Sequence, residues 1–434
     1  MLSARDNELV CKTGPSTPMG EVFRRYWHPI LLSRDLPEPA GAPVRVKVLN
    51  EPLVAFRDAE GNVGLIDEAC PHRNASMFFG LNDGEGLICA YHGFKFDRSG
   101  RCIDTPSDAP GSSFRDRVRT TAYPTHEAGG MIWAYMGPPE KQPPFPNFMY
   151  NLLPPEQVSA CRVPVYCNWL QSVEGNIDST HLGTLHATYA ARNAVEDGSD
   201  APNTYATRRF TQFITATRRY ARIDVQDTWY GFRLIAVRPT PNGNQHVRTN
   251  AHVLPEYSFI ASPGKGGGQL LVVPVDDNNS MRFSVRFQPD RPITDEERAE
   301  HERTTTIMDP EHPSLRLKRL DNDFFIDREA QKREHFAGIM PIPEQDYAVT
   351  ESMGGINDRT KEHLYPADAA IIRLRQMLLT MARNLQEGIE PPAMDAGPLE
   401  LVHSEEMVLA PDADPWLLGA DAGETAKQGE KILV

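Results

Sequence analysis

Two short stretches of the chain each set a cysteine beside a histidine: "CPHRNASMFFG", beginning at Cys70, and "CAYHGFKFD", beginning at Cys89. Only six cysteines occur in 434 residues, and two of them stand here, next to His72 and His92. Thiolate and imidazole are both metal ligands. A structural zinc site of two cysteines and two histidines usually pairs Cys with Cys and His with His. Here each loop mixes the two types, as C-x-H and C-x2-H. That mixture suits a [2Fe–2S] cluster with both thiolates on one iron and both imidazoles on the other, each loop straddling the cluster. Zinc is the alternative for this ligand set. Gly93 after His92, with Gly80 and Gly84 between the loops, lets backbone turn tightly and approach closely. Backbone N–H groups near the sulfurs then help set the potential.

A second group lies in "NWLQSVEGNIDSTHLGTLH". The stretch reads as a helix with Trp169, Leu170 and Val173 on one face. Asp178 and His181, three apart, share a face of such a helix. His186 follows five residues later and would be turned away by about 140°. For both imidazoles to reach one metal, the helix must loosen around Gly183 or Thr184. Two imidazoles and one carboxylate form the facial triad of non-haem Fe(II), which leaves positions open for dioxygen. The alternative is two unrelated histidines on a buried helix. By residue type alone, Asp309, Asp323, Asp327, Glu344 and Asp346 all qualify as the carboxylate. Glu174, four before Asp178, supports the site or is a solvated helix carboxylate.

The elements that must hold these groups fall into two units. From Pro43 to about "GGMIWAYMGPPEKQPPFP", short apolar runs alternate with turn pieces such as "DAEGN" and "DRSG", a β pattern. The proline cluster from Pro138 to Pro146 marks its edge. Residues 1–39 read as an N-terminal segment packing on the core, 40–140 as a small all-β domain, 141–403 as a second domain and 404–434 as an acidic tail that wraps a neighbour or stays disordered. In the second domain, residues 205–290 read as successive strands. Ile371, Leu374, Leu378, Met381 and Leu385 make a helical stripe, with Pro366 and Asp368 at its start and Gly388 past its end. The expected class is α+β, an antiparallel sheet flanked by helices following the β domain.

Composition narrows the partners. A formal net charge of −14 argues against nucleic acid, which needs a basic surface. No run approaches the roughly eighteen apolar residues of a membrane span. The start, "MLSARDNELVCKTG", lacks the basic-then-apolar layout of a secretory signal, so a cytoplasmic protein is expected. Sparse, irregular cysteines do not look like a disulfide framework.

C-P-H-R followed by C-A-Y-H-G-F resembles the Rieske motif. The extra cysteine that respiratory Rieske proteins carry in each loop is missing, so the oxygenase and ferredoxin types are the nearer likeness. Asn74 stands where that family commonly has Gly, and Phe94 where it often has Trp. "EGNIDSTHLGTLH", with its D-x2-H-x4-H core, resembles the mononuclear iron motif of Rieske non-haem iron oxygenases. The likeness runs from "MGEVFRRYWHPI" to "DRTKEHLYPADAAIIRLR" and is greatest to the phthalate and phenoxybenzoate group of oxygenase components.

This resemblance implies cluster ligands Cys70, His72, Cys89 and His92, and iron ligands His181 and His186. It selects Asp346, in "PIPEQDYAVTES", as the third ligand, with Glu344 and Asp327 as alternatives. It implies that Asp178 bridges to a cluster histidine of a neighbouring subunit, and hence a trimer or dimer of trimers. Electrons would come from NADH through a separate reductase (flavin/iron–sulfur), with or without a ferredoxin. The reaction would be hydroxylation or O-dealkylation of an aromatic compound by dioxygen, as a mono- or dioxygenase. Loose alignment with phthalate oxygenases places Arg222 and Arg248 near arginines that grip a substrate carboxylate, while a solvated strand face is the plainer reading of either. The rival reading is a Rieske electron-transfer protein without oxygenase chemistry.

Overall fold

The computed structural model of the chain describes residues 1–109, 111–188, 221–240, 243–261, 267–305, 307–312 and 314–418. Three small antiparallel sheets make up the N-terminal unit. One pairs Trp27–Leu32 with Met131–Tyr135 and then Thr125–Ala128; a second joins Val44–Val48, Glu51–Arg57 and Val63–Asp67. The third is a ribbon of short strands, Leu81–Asn82, Leu87–Ile88, Lys95–Phe96 and Cys102–Asp104. Its apolar residues Leu87, Phe96 and Cys102 pack with Val54, Phe56 and Ile66 in a core of their own. That small core anchors the two Cys/His loops, which lie just before and within the ribbon.

The second unit is built on an antiparallel sheet. Its strands run in the order Val158–Val165, Asn279–Phe287, Gly267–Asp276, Tyr257–Ile260, Gln245–Val253, Gly231–Pro239 and Arg222–Asp227. The expected strands from residue 221 onward lie here, whereas "RRFTQFITATRRY" and Arg208, Arg209, Arg218 and Arg219 fall outside the described residues. The first part of the tail also belongs to this sheet. Glu406–Leu409 pairs antiparallel with Gln245–Arg248, because Glu406 is drawn in by His246 and Arg248.

Helices Trp169–Ile177, Asp295–Thr305, Ile342–Ser352 and Ala369–Gln386 flank the sheet. Ala369–Gln386 carries the apolar stripe seen in the sequence, and Leu374 and Leu378 are fully buried. It packs against the N-terminal helices Ala4–Cys11 and Pro18–Phe23, so residues from both ends of the chain share one core. Among the described residues, no helix is long and apolar enough to cross a membrane.

Candidate metal centres

The two Cys/His loops have the same backbone. In each, the cysteine N–H donates to the carbonyl five residues on: Cys70 to Ala75 at 2.9 Å and Cys89 to Phe94 at 2.8 Å. In each, the cysteine carbonyl accepts from the N–H four residues on, Asn74 or Gly93. That fourth position needs a positive φ, which is 60° at Asn74 and 77° at Gly93. Asparagine tolerates this region better than most residues, so Asn74 keeps the loop shape that glycine gives elsewhere.

Cys70 and Cys89 are buried while His72 is exposed and His92 half-buried. Burial, followed by the adjoining Cys89 thiol, pushes the Cys70 thiol up to about 11, although the backbone N–H groups of His72 and Arg73 point at its sulfur and oppose the rise. The His72 and His92 rings lie 4.6 Å apart, and Phe94 stacks flat on His72 at 4.6 Å. Two buried thiols below two rim imidazoles, with N–H groups aimed at sulfur, is a donor set that fits a [2Fe–2S] cluster.

The second group forms where the Trp169–Ile177 helix stops, earlier than its pattern suggests. Asp178 leaves the helical region, with ψ at 117°. Its Oδ1 accepts from the Thr180 N–H at 2.7 Å and the Thr180 hydroxyl at 2.6 Å. A side chain that captures backbone two residues on competes with the helix and ends it. Asp178 and His181 therefore do not share a helical face. His181 begins a separate short turn, His181–Gly183, and His186 lies beyond it.

The ligand atoms of His181, His186 and Asp346 lie within 4.8 Å of one another. Nε2 of His186 is 3.2 Å, and Nε2 of His181 3.7 Å, from Oδ1 of Asp346. Each histidine presents Nε2 because its Nδ1 is occupied: His181 by Asp178 Oδ2 at 3.3 Å, His186 by Gln345 Oε1 at 2.7 Å. Burial works against the charge on Asp346, but His186 and His181 outweigh it and hold the carboxyl below its ordinary range. For Asp178, burial is likewise outweighed by His181 and Thr180, leaving it at about 2. Burial lowers the His181 imidazole, but Asp178 and Asp346 more than restore it. Two imidazoles and one carboxylate converging through free Nε2 and Oδ1 atoms fit a divalent iron.

The other candidate carboxylates point elsewhere. Glu344 is buried against Arg316 at 3.1 Å, Asp327 caps the Arg328–Arg333 helix and Asp309 pairs with Arg319. Asp323 stands at a left-handed kink, with φ at 51°. Glu174 is neither solvated nor at the site; it is buried between Arg359 at 2.9 Å and Arg375 at 2.6 Å.

His181, His186 and Asp346 line a cavity of about 800 Å³ that also includes Arg248, Arg282 and Tyr347, a size suited to a small organic ligand. Arg248 reaches it already bound to Glu406 at 2.9 Å. Arg222 is not brought there: its exposed side chain pairs with Asp224 at 3.0 Å and is not part of the cavity wall. Sequence reasoning missed Gln345, Arg282 and Glu406. Each stands far along the chain from His181 and His186, and no local pattern marks it.

Two known families match parts of the chain. Residues 26–124 match the Rieske [2Fe-2S] domain, and residues 134–413 match the LigXa C-terminal domain like family. The chain is 35% identical to the phthalate 4,5-dioxygenase oxygenase subunit of Pseudomonas putida, over 89% of this chain and 88% of that one. It is 33% identical to the 3-chlorobenzoate-3,4-dioxygenase oxygenase subunit of Comamonas testosteroni, over 96% and 97%. Among solved structures, NdmA of Pseudomonas putida CBB5 with caffeine superposes with a TM-score of 0.59 at 18% identity, covering 92% of this chain and 99% of that one. At that identity the likeness speaks for the fold.

Proposed function

The chain belongs to the Rieske non-haem iron oxygenases, and within that family we propose that it is the terminal oxygenase of a multicomponent system acting on a carboxylated aromatic substrate. The reaction is hydroxylation or O-dealkylation with dioxygen, and the electrons come ultimately from NADH through a separate reductase, with or without a ferredoxin. The observation that carries this reading is the convergence of His181, His186 and Asp346 on one cavity wall, in a chain that also holds the Cys70/His72/Cys89/His92 set. An electron-transfer protein has no use for the second set or the cavity. The two relatives described above are oxygenase subunits for phthalate and 3-chlorobenzoate, which favours an aromatic acid.

When bound, a [2Fe–2S] cluster passes single electrons and a mononuclear iron activates dioxygen. The chain's own part is to hold the ligands in place. Cys70 and Cys89 supply buried thiolates, with His72 and His92 at the solvent side. Asp178 and Gln345 fix the tautomers of His181 and His186 so that each Nε2 is free. As in the family, we assign Asp178 a second role, bridging to a neighbouring subunit's cluster histidine, which calls for a trimer or dimer of trimers. A cytoplasmic location goes with this reading.

The test is iron, zinc and acid-labile sulfide per chain on anaerobically purified protein, with dioxygen uptake on aromatic acids in the presence of NADH and a reductase. About three irons and two sulfides are expected from these ligand types. Two irons that cannot be supplemented by added Fe(II) would favour the electron carrier, and zinc without sulfide would overturn the reading. Asp178→Asn should leave both centres filled and slow turnover sharply. Normal product formation by that variant would end the bridging role.

A further inference from the structure

We propose that Arg282 is the residue that recognises the anionic group of the substrate; this deepens, and rests on, the oxygenase reading above. Side chains alternate between the two faces of a strand, so Arg282, Ser284 and Arg286 of the Asn279–Phe287 strand turn to the same face, and all three line the cavity. Arg282 is 9% exposed. Its guanidinium lies over the Tyr347 ring, 5.3 Å from the centroid. Arg282 therefore stands on the same wall as the iron ligands, one residue removed from Asp346 through Tyr347.

Among the described residues the Arg282 side chain forms no hydrogen bond and no ion pair, which sets it apart; its contact with Tyr347 is with a ring face. The other buried arginines are all engaged. Arg316 lies between Glu344 and Glu351, Arg359 and Arg375 share Glu174, and Arg24 holds Glu51. Within the cavity, Arg248 is neutralised by Glu406 and Arg286 donates to the Thr304 hydroxyl at 3.3 Å. Lining the cavity with no ion pair among the described residues, the Arg282 guanidinium can take an anion that enters it. The planar fork of Arg matches a carboxylate with two parallel N–H···O bonds. One unpaired guanidinium also matches the single charge of a carboxylate. The carboxylate anchor is thus Arg282 on the central sheet, not Arg222 on its exposed edge or Arg248 in its existing ion pair.

The experiment is anaerobic calorimetric titration of the full-length holoenzyme with 3-chlorobenzoate and phthalate, each set against its uncharged amide. Wild type should bind the acids at least tenfold more tightly than the amides. In Arg282→Gln that preference should vanish while affinity for the amides is kept. Arg282→Lys should retain part of it, and Arg222→Gln all of it. In turnover assays, Arg282→Gln should raise KM for the acids more than it lowers kcat. Equal binding of acid and amide by wild type overturns the assignment, and turnover of the amide would then leave the oxygenase reading standing. An unchanged preference in Arg282→Gln overturns it as well. So does loss of acid and amide together, which would make Arg282 a structural residue.

Discussion

Nε2 of His186 faces Oδ1 of Asp346 at 3.2 Å, one on the loop after the Trp169–Ile177 helix and the other on the Ile342–Ser352 helix. Neither element can move without separating them, so the shape of the iron site is set by how these two segments dock. Asp346→Asn keeps the side-chain shape but removes the charge that a divalent cation needs. Iron is expected to fall from about three to about two per chain with sulfide and the cluster's visible spectrum unchanged, and activity to fall about 100-fold or more. Unaltered iron content would remove Asp346 from the ligand set.

Gln345 makes a prediction of a different kind, because it would not touch the metal. Its Nε2 donates to the Ile339 carbonyl at 2.7 Å, which turns its Oε1 toward His186 Nδ1 at 2.7 Å. The His186 proton therefore sits on Nδ1 and leaves Nε2 as the donor to a cation. Gln345→Leu should weaken iron binding about 10- to 100-fold while leaving the cluster intact. Iron titration of the stripped protein measures this. Wild-type affinity would mean that packing alone orients the imidazole.

The contrast between these sites shows what was readable in the chain. The Cys/His loops were legible because cluster and turn ligands lie within a few residues, and even Asn74 is explained by its φ of 60°. His181 and His186 were legible as residue types, but their geometry was not. The apolar pattern of the helix implies that it continues, and only the capture of Thr180 by Asp178 stops it. Glu174 looked like a surface or site carboxylate because Arg359 and Arg375, its partners, are far along the chain. Glu406 was hidden in an acidic tail whose strand pairing depends on Gln245–Arg248. Arginine spacing likewise says nothing of which guanidinium is already paired, the property that separates Arg248 from Arg282.

The buried Glu174 bears on stability. Its carboxylate is held by Arg359, fully buried, and Arg375, 4% exposed. Burial pushes Glu174 up, but the two arginines outweigh it and keep it ionised. This cluster ties the site helix Trp169–Ile177 to the Ala369–Gln386 helix. Glu174→Gln leaves the Arg359 guanidinium without its counter-charge and Arg375 with Glu362 alone, and should cost about 3–5 kcal/mol. Denaturant unfolding of the loaded protein checks it, and a midpoint equal to wild type would show that Glu362, which also binds Arg375, suffices.

Glu351, five residues after Asp346 on the Ile342–Ser352 helix, gives a pH signature. It receives the Tyr166 N–H at 2.9 Å and a bond from Arg316, but that guanidinium is shared with Glu344. Oε2 of Glu351 is buried with no partner. Burial therefore prevails over Arg316 and raises the carboxyl from 4.5 to about 7. Between those two values the folded chain holds a proton that the unfolded chain has released, so stability is complete below pH 4.5 and falls as pH rises to 7. The loss from this group is on the order of 3 kcal/mol at most. Glu351→Gln mimics the protonated form and should be the more stable protein at pH 7.5, with the difference shrinking as pH is lowered toward 4.5. Unfolding of both proteins across that range decides it: a difference that does not change with pH would mean that Glu351 stays ionised beside Arg316 throughout.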